Sequence, residues 1–359
     1  MYIEQLNLKN FRNYEEQEIL LNPHINIFYG DNAQGKTNIL EAIFLGGFGK
    51  SFRTSKEKEM IELQKDFLEV GIRYQKSDRD GKIKIQIASK KQIEVNGVKI
   101  KKLSELMGNL NLVIFTPDDI QILKNGPAER RRFLDMMIGQ LRPNYVHNLN
   151  NYLKTLEQRN QYLRQIQEEH KPEEMLEIWD EKLAEYAEII CSYRKEFIEK
   201  IKDQVAEIHP KITENNEILA LNYITECDQK EKYIELLKQR RKLDIIKGFT
   251  TKGIHRDDFQ VFINNKEIGI YGSQGQNRTA ILTLKIAELY VIEQEVGEFP
   301  ILLLDDFMSE LDEKRRKSFL QYIQETQVII TCTDKMELEK LELGKDYQLY
   351  KVKNGKILN

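Results

Sequence analysis

The eight residues Gly30-Asp-Asn-Ala-Gln-Gly-Lys-Thr37 constrain this chain more than any other feature of its sequence. They match the pattern G-x-x-x-x-G-K-[ST] at every fixed position. The apolar run His24-Ile-Asn-Ile-Phe-Tyr29 reads as a strand entering the loop, and Thr37 to Phe44 has helical character leaving it. Strand, glycine loop and helix in that order predict an α/β fold built around an anion site. The N–H groups of Asp31, Asn32, Ala33 and Gln34, with the helix N-terminus, form a concavity for phosphate oxygens. Gly30 and Gly35 let the backbone approach phosphate with no Cβ in the way. Lys36 is expected to place its ammonium on the β- and γ-phosphates, and Thr37 to offer its hydroxyl to Mg²⁺. The expected ligand is ATP with Mg²⁺.

A second apolar strand, Pro300-Ile-Leu-Leu-Leu-Asp305-Asp306, ends in two carboxylates. In a phosphate-binding fold such a strand holds an acid rigidly beside the loop. Asp305 is expected to hold Mg²⁺ through its water shell, and Asp306 to polarise the attacking water. A third feature, Ser273-Gln-Gly-Gln276, precedes a helix expected over 275–295. The Ser273 hydroxyl, the Gly275 backbone, Gln276 and the helix dipole make a second anion site, and Ser273 also suits an N-cap. This turn resembles the ABC-type signature, which faces the γ-phosphate bound by the other protomer. The resemblance implies a homodimer closed by ATP.

Met308-Ser-Glu-Leu-Asp312 looks like the D-loop that crosses such a seam. ABC transporters place a switch histidine near Thr331-Cys-Thr-Asp334; none is present, and Thr331 or Thr333 is expected to substitute. Asp306 stands where a glutamate is usual, and its shorter side chain suggests slow hydrolysis. Gln121 is the candidate for a Mg²⁺-sensing glutamine, and Arg12 and Arg53 are expected to support nucleotide.

Between these ends the pattern changes. Val146, Leu149, Leu153, Leu156 and Leu163, then Leu176, Trp179, Leu183, Tyr186, Ile190, Tyr193 and Phe197, keep a heptad-like spacing on two consecutive helices. The expected architecture is an α/β, ABC-type P-loop ATPase head, residues 1–120 plus 248–359, with an inserted, mainly helical lobe, residues 121–247, containing an antiparallel hairpin. Residues 67–75 and 82–100 alternate as strands, with Asn96-Gly97 marking a hairpin turn.

Charge and composition narrow the function. Lys and Arg number 55 against 58 Asp and Glu, for a net charge of −3, so a globally basic nucleic-acid binder is excluded and any DNA contact must be a local patch. Arg130-Arg131-Arg132 leads the candidates, followed by Arg240-Arg241-Lys242 and Lys314-Arg-Arg-Lys317; each equally suits a solvated helix face. Cys191, Cys227 and Cys332 are scattered without metal-ligand spacing and fit free thiols in a reducing compartment. No apolar run reaches bilayer length and the start, Met1-Tyr-Ile-Glu-Gln-Leu6, carries no leader, so a cytoplasmic protein, nucleoid-associated when on DNA, is expected.

Further stretches resemble the RecF family: Leu8-Lys-Asn-Phe-Arg-Asn-Tyr14, Phe115-Thr-Pro-Asp-Asp-Ile120, Gly126-Pro-Ala-Glu-Arg-Arg-Arg-Phe-Leu-Asp135 and His255-Arg-Asp-Asp-Phe259, the last departing from the pattern at Ile254, where proline is usual. The resemblance implies a weak DNA-stimulated ATPase that dimerises on ATP and binds double-stranded DNA and single-/double-strand junctions. It also implies work with RecO and RecR to load RecA at gaps, in replication, recombinational repair and the SOS response to DNA damage. The alternative is an SMC-like nuclease, for which His255-Arg-Asp257-Asp258 is the only tempting metal cluster; a transport ATPase would need a membrane partner and a shorter insert.

Overall fold

In the computed structural model, residues 1–306, 311–333 and 346–358 are described. They form two compact units, residues 1–120 with 278–359, and residues 121–277. The D-loop stretch 308–310 and Asp334 lie outside the described residues.

The first unit opens with β1 (Tyr2–Phe11), β2 (Tyr14–Leu20), β3 (Ile25–Tyr29), α1 (Lys36–Phe48), β4 (Leu68–Gln75), β5 (Asp80–Ile87), β6 (Lys91–Val95), β7 (Val98–Ile100) and β8 (Leu112–Phe115). The second holds α2 (Gln121–Lys124), α3 (Pro127–Leu141), α4 (Pro143–Glu169), α5 (Leu176–Thr213), β9 (Leu219–Ile224), α6 (Lys230–Lys247), β10 (Asp258–Ile263), β11 (Lys266–Glu267) and α7 (Ile268–Tyr271). Helix α8 (Gln274–Val296) carries the chain back to β12 (Ile301–Asp305), α9 (Glu313–Tyr322), β13 (Val328–Cys332), β14 (Tyr347–Lys353) and β15 (Lys356–Leu358).

Two sheets build the first unit. One is antiparallel, in the order β2-β1-β4-β5-β6-β7. Its strands alternate: Val70, Ile72 and Tyr74 on β4 and Ile83, Ile85 and Ile87 on β5 are buried, and the residues between them face outward. Asn96 and Gly97 turn β6 into β7 with φ of 53° and 81°, as an Asn-Gly hairpin requires. The other sheet runs β15-β14-β3-β13-β12-β8, parallel from β14 to β8. Its strands Leu112–Phe115, Ile301–Asp305 and Val328–Cys332 are buried at every position, which explains their continuous apolar sequence.

Helix α1 packs against strands of both sheets and is buried nearly all round. Its two glycines set the fit: a Cβ on Gly46 would lie 2.2 Å from Ile72 Cδ1 of one sheet, and one on Gly47 would lie 2.6 Å from Leu112 Cδ1 of the other.

In the second unit, α4 and α5 pair as an antiparallel hairpin: Arg194 meets Tyr145, Arg159 meets Asp180, and Leu163 and Ile166 meet Leu176. The expected seam on α4 holds at its ends, Val146 and Leu163, and slips between them. Leu153 is 47% exposed, and the buried positions are Tyr145, Val146, Asn148, Tyr152, Thr155, Arg159, Leu163 and Ile166. Much of this core is polar: Arg159, fully buried, donates to Asp180 at 2.7 Å and to Asp244 and Thr250 at 2.8 Å. The chain returns to the first unit at Arg278 and not at Gly248. The reason is pairing: β10 runs antiparallel to β9, from Asp258↔Ile224 to Ile263↔Leu219, and so belongs to the insert.

Candidate functional site

The phosphate loop leaves β3 and closes on the first turn of α1. Gly30 and Gly35 have φ of 152° and 116°, and Ala33 is left-handed at 64°. Crowding adds to conformation here: a Cβ on Gly30 would lie 2.4 Å from Val352 O, and one on Gly35 would lie 2.7 Å from Asn13 Oδ1. Gly35 caps α1 without a side-chain bond, so the first-turn N–H groups are available to an anion. Lys36 is buried, and its Nζ donates to Gly30 O at 2.6 Å and Asp31 O at 3.0 Å. The loop encloses a cavity of about 300 Å³ lined by Asn32, Ala33, Gly35, Lys36, Thr37, Asn38, Arg53 and Asp306.

Asp305 ends β12 against this loop. Its Oδ1 accepts from Thr37 Oγ1 and from Thr331 Oγ1, each at 2.8 Å. Thr331 in turn accepts from the Asp306 N–H at 3.0 Å, so one buried hydroxyl on β13 fixes both acids. Burial raises the Asp305 carboxyl above its ordinary value, the two threonine hydroxyls oppose this, and neighbouring Asp306 adds to it. Asp306 is left-handed at φ 48°, a costly conformation for an aspartate, and its side chain lines the cavity. Thr37 and Asp305 are paired hard-oxygen donors of the kind Mg²⁺ takes, so the residues fit that ion. Of the two threonines expected to replace a switch histidine, Thr331 reaches the acids, while Thr333 is exposed at the end of β13.

The loop is braced from behind by residues with no motif of their own. Asn13 Nδ2 donates to Gln34 O at 2.8 Å and Asn38 Nδ2 donates to Asn13 Oδ1 at 2.9 Å. The β14–β15 turn donates from Asn354 N to Gln34 Oε1 at 2.7 Å and from Gly355 N to Gln34 O at 3.0 Å. Glu41, fully buried on α1, accepts from Arg12 Nε and Nη2 at 2.8 and 2.6 Å, from the Ser51 hydroxyl, and from Arg53 at 3.4 Å. Arg53 thereby reaches the cavity, whereas Arg12 serves as a strut. Asn13, Asn38 and Glu41 are not picked out by any motif; the sequence marks them only through the run Phe11-Arg-Asn-Tyr14 and through one charged residue in the apolar stretch Ile39 to Phe48 of α1.

The signature turn lies in the second unit. Ser273 Oγ accepts from Gln276 N at 3.2 Å, and Gln276 Oε1 accepts from Ser273 N at 2.9 Å, a reciprocal capping box at the start of α8. Gln276 Nε2 also donates to Glu217 Oε1 at 2.9 Å. Ser273 is exposed and Gly275 half-buried.

A family model described as RecF/RecN/SMC N terminal domain matches residues 2–357. A curated relative from Clostridium perfringens, DNA replication and repair protein RecF, is 44% identical over 99% of both chains. The chain belongs to the RecF family. A solved structure described as the recombination mediator protein RecF-ATP in the RecFOR pathway is 38% identical, covers 99% of this chain and 96% of its own, and superposes with a TM-score of 0.92. An SmcHead bound to the C-winged helix domain of ScpA shares the fold at TM-score 0.57 and 19% identity. The α/β head with a helical insert is thus that of RecF and SMC heads.

Other expected site residues of this RecF-family chain are engaged elsewhere. Gln121 begins α2 in the second unit, where Oε1 accepts from Asn125, and it is not among the cavity's lining residues. Arg130 is buried and forks onto Asp258 at 2.6 and 2.9 Å, with Nη1 on the carbonyls of Ile122 and Asn125. A guanidinium so committed serves the insert's core and not DNA. Arg131 is half-buried and donates to Asp257 O at 2.7 Å, which leaves Arg132, exposed and 3.8 Å from Glu129, as the one member of the trio on the surface.

The cluster that tempted a nuclease reading is also structural. Asp257 accepts from Tyr223 OH at 2.6 Å and Arg194 at 3.2 Å, and burial raises its carboxyl above the ordinary range. His255 Nδ1 sits 2.8 Å from Tyr152 OH and Nε2 lies 3.1 Å from Thr250 O; burial holds its pKa down to about 4, so the ring is neutral at pH 7.

Proposed function

We propose that this chain is an ATP-dependent DNA-binding protein of recombinational repair and replication. Two copies close on ATP and hold duplex DNA near single-stranded gaps, and with RecO and RecR they promote RecA loading. A weak, DNA-stimulated hydrolysis of ATP resets the clamp. The working place is the cytoplasm, at the nucleoid when on DNA; no helix among the described residues is long and apolar enough to cross a membrane. The observation that carries the reading is the division of labour between two anion sites. The phosphate loop beside the Thr37–Asp305–Thr331 bridge suits a nucleotide's phosphates, while the capped, exposed Ser273 turn on a separate unit suits a second anion contact.

In the mechanism Gly30 to Gly35 and the α1 N-terminus wrap the phosphates through backbone N–H groups. Lys36 presents its charge from inside the loop, and Arg53 faces the same cavity. Thr37 and Asp305 would hold Mg²⁺, which would supply positive charge to the phosphates. Asp306 orients the attacking water and takes its proton, and Thr331 keeps its backbone at the required turn. Ser273 and Gly275 of the partner copy cap the γ-phosphate, so ATP stabilises the dimer through contacts made only in the closed state.

Light scattering of the protein alone, with ATP and Mg²⁺, and with duplex DNA added tests this. A monomer that becomes a dimer with ATP and holds duplex more tightly in that state is expected. Nucleotide binding with no change in mass would reduce Ser273 to a helix cap and refute the clamp.

A further inference from the structure

The basic clusters singled out in the sequence leave the place of DNA open. Arg130 is buried, Arg241 donates to Asp180 at 3.2 Å, Arg315 to Thr279 at 2.7 Å and Arg316 to Leu311 O at 3.0 Å. Another stretch is more basic than any of them. Residues 73–102 contain ten Lys or Arg and three Asp or Glu, in a chain whose net charge is −3. Two of the ten serve the fold: Lys76 is buried on Gly108 O, and Lys91 binds Gly49 O and Glu57.

The pleat sorts the rest. On β5, Ile83, Ile85 and Ile87 point inward and Lys82 and Lys84 outward. The register then builds a basic field on the outer face. Lys82 lies directly opposite Arg73, and the next row runs Gly71, Lys84, Glu94, Lys99 across β4 to β7. Its carboxylates are Asp80, exposed on β5 opposite Gln75, Glu69, which pairs with Lys84 at 3.0 Å, Glu4, 3.8 Å from Arg73, and Glu94, between Lys84 and Lys99. Lys90, Lys101 and Lys102 stand exposed on the adjoining turns.

Sheet stability accounts for Lys84 and Lys99, which both face Glu94 across the strands, but not for Arg73 beside Lys82. Like charges directly opposite on paired strands are destabilising, which is the situation of Arg73 and Lys82. Lysines that guard a sheet edge belong on the outermost strand, which explains Lys99 on β7 but not a pair on the interior strands β4 and β5. Four strands span about 14 Å, room for a row of phosphates.

Resting on the DNA-binding reading above, we propose that the outer face of β4–β7, through Arg73, Lys82, Lys84 and Lys99, docks the phosphate backbone of duplex DNA without sequence preference. The inner face of the same sheet rests on α1, with Ile72 against Gly46. DNA bound there lies one sheet away from the helix that carries Lys36 and Thr37.

The test is duplex binding with ATP and Mg²⁺ over a salt series, for the unaltered protein, for K82A/K84A/K99A and for K82R/K84R/K99R. Each lost phosphate contact lowers affinity about fivefold at ~0.15 M salt and flattens the log–log salt slope by about 0.9. The alanine variant is therefore expected to bind about a hundredfold more weakly with a shallower slope, and the arginine variant to keep both, with ATP binding unchanged in each. Equal affinity and slope in the alanine variant would overturn the docking face, as would loss of binding in the arginine variant too. An acidic protein partner for this face would appear as unaltered DNA binding, and so also counts against the proposal. If the unaltered protein fails to bind duplex, the proposed function falls first and this inference with it.

Discussion

Thr331→Val deletes one hydroxyl from the centre of the site and keeps the side chain's shape. The hydroxyl donates to Asp305 Oδ1 at 2.8 Å and accepts from Asp306 N at 3.0 Å, in full burial. A hydrogen bond to a charged group contributes roughly 1.5–3 kcal/mol and a neutral one about 1 kcal/mol. Allowing for relaxation, local stability around Asp306 is expected to fall by about 2–3 kcal/mol, and its amide to exchange roughly 30- to 150-fold faster. The titration moves as well. Burial already raises the Asp305 carboxyl, and the Thr331 bond lowers it, so removing that bond raises it further.

A carboxyl raised on folding makes the folded state bind a proton more tightly than the unfolded chain. This group's contribution to stability therefore falls as pH climbs from the ordinary Asp value of 3.8 through the folded one, and the variant loses more over a window that extends higher. Mg²⁺ needs the ionised form, so Mg²⁺-dependent ATP binding must weaken on acidification, and in the variant the weakening must begin at a higher pH. Hydrogen exchange at Asp306 and Mg²⁺-dependent ATP titrations between pH 5 and 8 measure both effects. Unchanged exchange together with an unchanged pH profile would show that the hydroxyl does not link the two acids.

Ser273→Arg should leave ATP binding by the monomer intact and block the ATP-dependent dimer; a dimer surviving that change in sedimentation would refute the two-site model. Asp306→Asn should bind ATP and lower steady-state hydrolysis by at least tenfold while the dimer persists, and normal turnover would remove Asp306 from the chemistry. Arg130→Met should cost about 3 kcal/mol in urea unfolding of the insert, because Asp258 and two carbonyls lose their donor, yet leave the salt slope of DNA binding untouched. A slope shallower by about 0.9 would return Arg130 to the DNA surface.

The phosphate loop was legible because its information is local: eight consecutive residues carry both the positive φ values and the chemistry. The paired acids were legible because a buried parallel strand announces itself as Ile-Leu-Leu-Leu and must end near the loop. What failed was non-local. Arg130 reads as a surface charge until Asp258, far along the chain, is seen to face it. The middle of the α4 seam escapes hydrophobic periodicity because three of its buried positions are Asn148, Thr155 and Arg159, which such a pattern counts as solvent-facing. The sequence pattern puts the return to the head at Gly248 because strand pairing of β10 with β9 leaves no mark on composition. Asn13 is silent in the sequence for the same reason: its worth lies in reaching Gln34 across a turn.

The bracing of Gln34 by Asn354 and Gly355 also has a consequence in time. During synthesis β3 and the glycine loop emerge early, but β3 lies between β13 and β14, and the loop's last hydrogen bonds come from residues beyond 350. A ribosome-bound chain with only the first half exposed therefore owns the nucleotide motif without the nucleotide site. The loop's bracing is complete only once the C-terminal hairpin docks, so a half-made chain carries the motif in an unbraced form.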